Sequence, residues 1–159
     1  MAEENPAPNF RIHKVYVKDL SFESPRAPNL FVDNAGWQPK VQVQLNSESS
    51  KIKDQLFESV LTLTVTVQQG EETAYLVESK YAGLFELSGF PDPQLAQMLG
   101  AYCPNVLFPF ARQLICDTVV AGGFPQLLLE PVNFDALFQQ QQQQQQQVKE
   151  QSASETTLQ

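Results

Sequence analysis

The run Phe57-Glu-Ser-Val-Leu61-Thr-Leu63-Thr-Val65-Thr-Val67, then Gln68-Gln-Gly70-Glu-Glu72, then Thr73 to Leu87, decides the fold. Phe57, Leu61, Leu63, Val65 and Val67 point one way along an extended chain. Glu58, Thr62, Thr64 and Thr66 point the other. That is the two-residue period of a half-buried strand. The pattern resumes after the link, with Tyr75, Val77, Tyr81, Phe85 and Leu87 on one face. Two long strands joined by a short glycine-containing link predict an antiparallel hairpin. Its polar face need not be covered by helices, as an antiparallel sheet allows.

Upstream, Val41-Gln-Val43-Gln-Leu45 repeats the alternation and reads as another strand. A first strand is expected over Phe10–Lys18, where Val15 and Val17 alternate with polar neighbours. Residues 1–9 read as a loose arm. Between the strands lies Asp19–Lys40, with Pro25, Pro28 and Pro39. Prolines at that density predict an irregular stretch. It carries Phe22, Leu30, Phe31 and Trp37, and a loop this long and aromatic is expected to be functional. Lying across the sheet, it would wall a hydrophobic groove with Phe22, Phe31 and Trp37. Val41, Val43 and Leu45 would complete the groove, together with a helix carrying Phe134, Leu137 and Phe138. Ordinary core packing under a loop is the alternative for each of these rings.

Downstream the pattern changes. Pro91–Leu99 has room for a short helical turn. Asn105 is a candidate cap for a helix ending at Ala121, before Gly122-Gly123. This helix is apolar on most sides, unlike a one-sided surface helix. The pattern points to a second chain on its other flank; a central core helix in a monomer is the alternative. Phe124–Val132 reads as an extended, proline-flanked segment. Asn133 reads as a second cap, and the helix after it can run into the nine glutamines at 139–147. Val148–Gln159 is polar and is expected to be disordered.

Acids outnumber bases 18 to 10, a formal net charge of −8. Such a field repels phosphate backbones and anionic lipid, so neither nucleic acid nor membrane is an expected partner. No run of about 18 apolar residues is present to span a bilayer. Cys103 and Cys116 form neither a disulfide framework nor a metal spacing, which suggests a cytosolic protein with reduced thiols. The seven glycines make no phosphate cradle. With a single histidine, His13, no metal centre and no cofactor is expected. A His13–Cys103 nucleophile pair and a hydrolytic carboxylate pair are the enzymatic alternatives, and nothing in the sequence singles out either. The chain reads as a non-enzyme. An accessible apolar groove would suit unfolded polypeptide; a non-enzymatic oligomeric adaptor for one folded partner is the competing reading.

Several motifs follow one another in order across residues 10–138. They are Asp19-Leu-Ser-Phe22-Glu23-Ser-Pro25 with Pro28, Phe31 and Trp37-Gln-Pro39, then Gly70-Glu-Glu-Thr-Ala-Tyr75-Leu76-Val-Glu78. Leu99-Gly-Ala-Tyr-Cys103-Pro-Asn-Val-Leu-Phe-Pro-Phe-Ala-Arg112, Phe124-Pro-Gln-Leu and Pro131-Val-Asn-Phe-Asp-Ala-Leu-Phe138 complete the series. Together they resemble the SecB family of protein-export chaperones. The resemblance implies an α+β subunit with a four-stranded antiparallel sheet, a long helix and a second C-terminal helix. It implies a homotetramer built as a dimer of dimers joined through the long helices. Phe108, Arg112, Ile115, Cys116 and Val119 are the candidate interface residues. It further implies ATP-independent binding of non-native preproteins in the cytoplasm and their delivery to the SecA motor. Contacts to SecA would fall on Asp19, Glu23, Leu76 and Glu78, and any zinc at that contact would belong to SecA. The glutamine tract departs from the family pattern and marks 139–159 as a variable tail.

Overall fold

The structure is a computed structural model and describes residues 6–33 and 36–156. Four strands form one sheet: β1 (Asn9–Glu23), β2 (Pro39–Lys53), β3 (Leu56–Gln69) and β4 (Glu72–Ser88). Their spatial order is β1-β4-β3-β2, and every neighbouring pair is antiparallel. The expected hairpin is β3–β4, with Phe57 opposite Phe85, Leu61 opposite Tyr81 and Val65 opposite Val77. The alternation sorts as expected. Leu61, Leu63, Val65, Val67, Val77 and Phe85 are fully buried on the inner face.

β1 is five residues longer at its C-terminal end than its sequence pattern suggested, and the cause is local. Its register with β4 shifts between Ile12 and Lys14 and again between Val17 and Asp19. Each bulge takes up one extra residue, His13 and then Lys18, and resets which parity faces inward. Phe10, Ile12, Val15, Val17, Leu20 and Phe22 therefore all lie opposite inner-face residues of β4. Strict alternation fails at both bulges, so the pattern breaks after Val17 although the strand continues. Asp19–Glu23, expected to be loop, belongs to it. β2 also outruns Val41–Leu45, reaching Lys53. Its extension, Asn46 to Lys53, is mostly polar and exposed, yet its backbone pairs with β3 throughout. A ladder needs main-chain groups rather than apolar side chains.

The irregular segment therefore shrinks, and it contains one short turn of helix, α1 (Asn29–Val32). After β4 come α2 (Asp92–Gln97), a π-helical turn (Met98–Tyr102) and α3 (Cys103–Ala121). They run on without a break, so Asn105 lies inside a helix rather than capping one. Pro104 would crowd the carbonyl of Gly100, four residues earlier, and the widened turn ahead of it relieves that clash. Asn133 does act as a cap: its Oδ1 accepts from the Ala136 N–H at 3.0 Å. The following helix, α4 (Phe134–Thr156), carries the glutamine tract and includes much of the segment expected to be disordered.

α3 covers the inner face of the sheet. Cys103, Leu107, Ala111, Ile115 and Val119 recur every four residues and are all fully buried. Phe108 and Cys116 flank this stripe, at 6% and 7% exposure. Four of the five candidate interface residues, Phe108, Ile115, Cys116 and Val119, are thus spent on the subunit's own core. Arg112 is half-buried, its guanidinium 5.6 Å from the centroid of the Phe108 ring. The flank of α3 that remains open carries Tyr102, Val106, Phe110 and Val120 instead. The helix ends where the Gly122 N–H bonds Thr118 and the Phe124 N–H bonds Val119. Gly123 adopts φ +90° there, and Gly122 lies against the Phe22 ring with no room for a Cβ.

This placement separates core from interface by experiment. Ile115→Ala should destabilise the folded subunit by about 2–5 kcal/mol in urea unfolding, as a cavity-forming change does. Val120→Ala, on the open flank, should move subunit stability by no more than about 0.5 kcal/mol. Equal, small effects would place Ile115 outside the core.

Candidate functional site

One edge of the inner face is left uncovered. α3 lies over β3 and β4, and the inner face of β2 projects past it. Val41, Val43 and Leu45 from β2, Leu63 from β3 and Phe108 from α3 line a cavity of about 500 Å³. Its far wall is the segment from Leu127 to Val132. Val41 and Val43 are 44% and 46% exposed, and Leu128 is 74% exposed. Apolar side chains this open, facing one another across a cleft, form the candidate binding groove.

An aromatic cluster borders the same segment. Phe124 is its hub, with ring centroids 4.6 Å from Tyr75, 5.2 Å from Phe31 and 5.7 Å from Trp37. Phe22 stacks on Tyr75 at 5.9 Å. Burial pushes the Tyr75 hydroxyl up to about 12, so it stays neutral. Phe31 and Trp37 remain 51% and 38% exposed. The Gln69 side chain ties the chain around Trp37 to the sheet: its amide nitrogen donates to the Gly36 carbonyl at 2.6 Å, and its oxygen accepts from the Gln38 N–H at 3.0 Å. Trp37 is thus tied to the sheet on both sides and still open to solvent.

Of the candidate groove residues, Val41, Val43 and Leu45 line the cavity, and Phe22, Phe31 and Trp37 build the adjoining cluster. Phe134, Leu137 and Phe138 do not join them. Phe134 is 4% exposed and packs on Phe108, and Phe138 covers Gly100 in the π-helical turn. The opposite wall, with Leu127, Leu128, Leu129 and Val132, was missing from the sequence-based expectation. Its only signal is an apolar run between Pro125 and Pro131 with neither strand nor helix period.

The outer face is polar. Opposite one another across β1 and β4 stand Glu23 with Leu76, Ser21 with Glu78, and Asp19 with Lys80. Asp19, Glu23, Leu76 and Glu78 therefore share one solvent-facing patch. The Thr64 hydroxyl donates to Glu78 at 2.8 Å. Two other carboxylates on this face, Glu58 and Glu86, are already matched. Glu58 accepts from Lys18 at 2.8 Å and from the Tyr16 hydroxyl, and both bonds hold its carboxyl below the usual range. Burial, with Glu58 beside it, pushes Tyr16 up to about 12. Glu86 pairs with His13 at 2.7 Å. Among the described residues Asp19, Glu23 and Glu78 have no basic group within ion-pair distance. The patch is net acidic around a half-buried leucine.

His13 and Cys103 are not brought together. His13 stands in a bulge of β1 beside Glu86, and Cys103 lies under α3 on the inner side. Burial pushes the Cys103 thiol up to about 12, far from a reactive thiolate at neutral pH. Among the described residues no three His, Cys, Asp or Glu side chains converge as a metal site, and no helix is long and apolar enough to cross a membrane. Cys103 should resist alkylation at neutral pH in the folded chain and react fully after unfolding, as mass spectrometry of the modified peptide would report. Fast native modification would contradict its burial.

Comparison with known proteins bears on the family. The family model described as preprotein translocase subunit SecB matches residues 3–145. The protein-export protein SecB of Nitrosococcus oceani is 50% identical over 139 residues, covering 87% of this chain and 85% of that one. That of Methylococcus capsulatus is 50% identical over 142 residues, covering 88% and 90%. Among solved structures, the SecB-like chaperone of Mycobacterium tuberculosis, in complex with a ChAD peptide from the HigA1 antitoxin, superposes with a TM-score of 0.60. Its sequence identity is 16%, with 77% of this chain and 90% of that one covered, a likeness of fold alone. Half-identity across nearly the whole chain, on a sheet with this strand order, carries one conclusion: the chain belongs to the SecB family.

Proposed function

We propose that the chain is a protein-export chaperone that binds non-native preproteins in the groove between β2 and residues 127–132. The observation that carries this reading is the open apolar cleft, about 500 Å³, continuous along one wall with a half-exposed aromatic cluster. Its chemistry suits extended chain. Each Leu- or Phe-sized client side chain gains about 1.5–3 kcal/mol on full burial. Binding needs no nucleotide, because it competes with client folding by mass action. No sequence is demanded, since the walls are aliphatic or aromatic and offer few fixed polar partners.

The working form is a homotetramer, a dimer of dimers. Two surfaces support it. Ile12, Val17 and Leu20 on the inner face of β1 are 47%, 44% and 40% exposed, and Phe110 and Val120 on the open flank of α3 are 47% and 52% exposed. Tyr81, opposite Val17, stacks on Phe110, so the two surfaces adjoin. A lone subunit would leave this apolar area in water. Several grooves on one assembly would strengthen client binding by avidity.

Delivery to the SecA motor uses the other side of the sheet. Asp19, Glu23 and Glu78 supply unmatched negative charge and Leu76 an apolar contact, which together suit a basic partner segment. The zinc expected with that partner is SecA's own. A client in the groove and the motor on the outer face would be held on opposite sides of one sheet.

Two measurements test this reading. Val43→Asp with Leu128→Asp should weaken binding of an unfolded preprotein by about tenfold or more, the loss expected from one or two apolar anchors. Unrelated unfolded clients should compete with one another for the wild-type chain; a failure to compete would favour an adaptor with a single partner. Charge reversal of Asp19, Glu23 and Glu78 to Lys should weaken SecA binding by about tenfold or more, most strongly at low salt, and leave client affinity unchanged. Equal loss of both activities would overturn the assignment of one face to each.

A further inference from the structure

The glutamine tract has no part in the groove or the acidic patch, yet it lies on a helix of definite phase. At about 100° per residue, Phe134, Leu137, Phe138, Gln141, Gln144, Gln145 and Val148 fall on one side of α4. The first turn uses this side to dock: Phe134 is buried against Phe108, and Phe138 lies over Gly100. Beyond Phe138 the helix overhangs the fold. Residues 139–150 are all exposed, and Gln141, Gln144, Gln145, Val148 and Lys149 line a shallow concavity along the docking side. Val148, the one aliphatic residue of this stretch, is 64% exposed and sits in that stripe.

The chemistry of the overhang selects its partner. Residues 136–148 carry no charge, in a chain of net charge −8. Two copies can therefore approach along this stretch without the repulsion that separates them elsewhere. Each glutamine amide presents both a donor and an acceptor, so a row of them is complementary to an identical row. A helical overhang without tertiary support is only marginally stable in water, and pairing would supply that support. Polar residues at the seam of paired helices fix register at some cost in strength.

We infer that the 139–148 segment of α4 is a self-association surface. It pairs in parallel with the same segment of a second copy of this chain, with Gln141, Gln144 and Gln145 interleaved and the two Val148 side chains together at the seam. The inference does not rest on the chaperone reading.

The test uses the full chain. Val148→Cys places a thiol in the seam, and Gln146→Cys places one on the opposite side of the same helix. Wild type serves as the blank for the buried Cys103 and Cys116. Under mild oxidation Val148→Cys should form covalent dimers on the order of tenfold faster than Gln146→Cys, because pairing raises the local concentration at the seam only. Gln141→Glu, Gln144→Glu and Gln145→Glu, added together to Val148→Cys, keep helix propensity but set like charges across the seam. They should return crosslinking to the Gln146→Cys rate. Equal rates for the two cysteine variants, or no slowing by the three glutamates, would overturn the inference.

Discussion

Everything else in this fold depends on the contact between α3 and the inner face of β3 and β4. On one side are Leu61, Leu63, Val65, Val77 and Phe85; on the other are Leu107, Ala111, Ile115 and Val119. Both sets are fully buried. One helix covers about two strands' width of a sheet, because helices pack at 8–10 Å and strands lie about 4.8 Å apart. A four-stranded sheet with a single helix lying across it therefore leaves both edge strands with uncovered inner faces. On β1 these are Ile12, Val17 and Leu20; on β2 they are Val41 and Val43. The surfaces offered to partners follow from covering four strands with one helix.

The two uncovered edges are not equivalent, and the difference lies in the chain nearby. Beside β2 runs the segment from Phe124 to Val132, whose leucines face the strand across open space and turn an exposed edge into a cleft. The aromatic cluster centred on Phe124 anchors one end of that segment, and the Asn133 cap fixes the other. The cleft therefore has two apolar walls, one on β2 and one on the 127–132 segment, and is open between them. Beside β1 stands only the open flank of α3, with Tyr81 stacked on Phe110 between them. That surface has no opposing wall and matches a second folded subunit better than a strand of unfolded chain.

The central hairpin was legible from alternation alone, because its inner face is wholly apolar and its outer face rich in threonine and glutamate. Asn133 was legible as a cap because its side chain alone settles the matter. The C-terminal end of β1 was not legible, since two bulges change parity and hide a continuous apolar face. α3 was expected at Asn105, but the sequence carries no plain mark for a widened helical turn ahead of Pro104. The groove was half legible: Val41, Val43, Leu45, Phe31 and Trp37 stood out by type and spacing. Its other wall did not, because a run such as Leu127-Leu-Leu129 without a period says only that something is buried nearby. Helix faces were the weakest inference. Ile115 and Val119 look like any apolar residues of a helix apolar on most sides, and only the sheet beneath them decides that they are core.

The sheet also separates the molecule's two chemistries. Side chains alternate across a strand, so Glu23 and Leu76 face one medium while Phe22, Tyr75 and Val77 face the other. An acidic patch on one face and an aromatic cluster on the other are thus built from neighbouring residues of the same two strands, β1 and β4. The arrangement has a mechanical consequence. Phe22, in the aromatic cluster, is flanked in β1 by Ser21 and Glu23, and Tyr75 is followed by Leu76. A partner that pulled on the outer face at Glu23 and Leu76 would displace the backbone that carries Phe22 and Tyr75. Were a motor to bind at Glu23 and Leu76, as proposed, it would sit one residue along each strand from Phe22 and Tyr75.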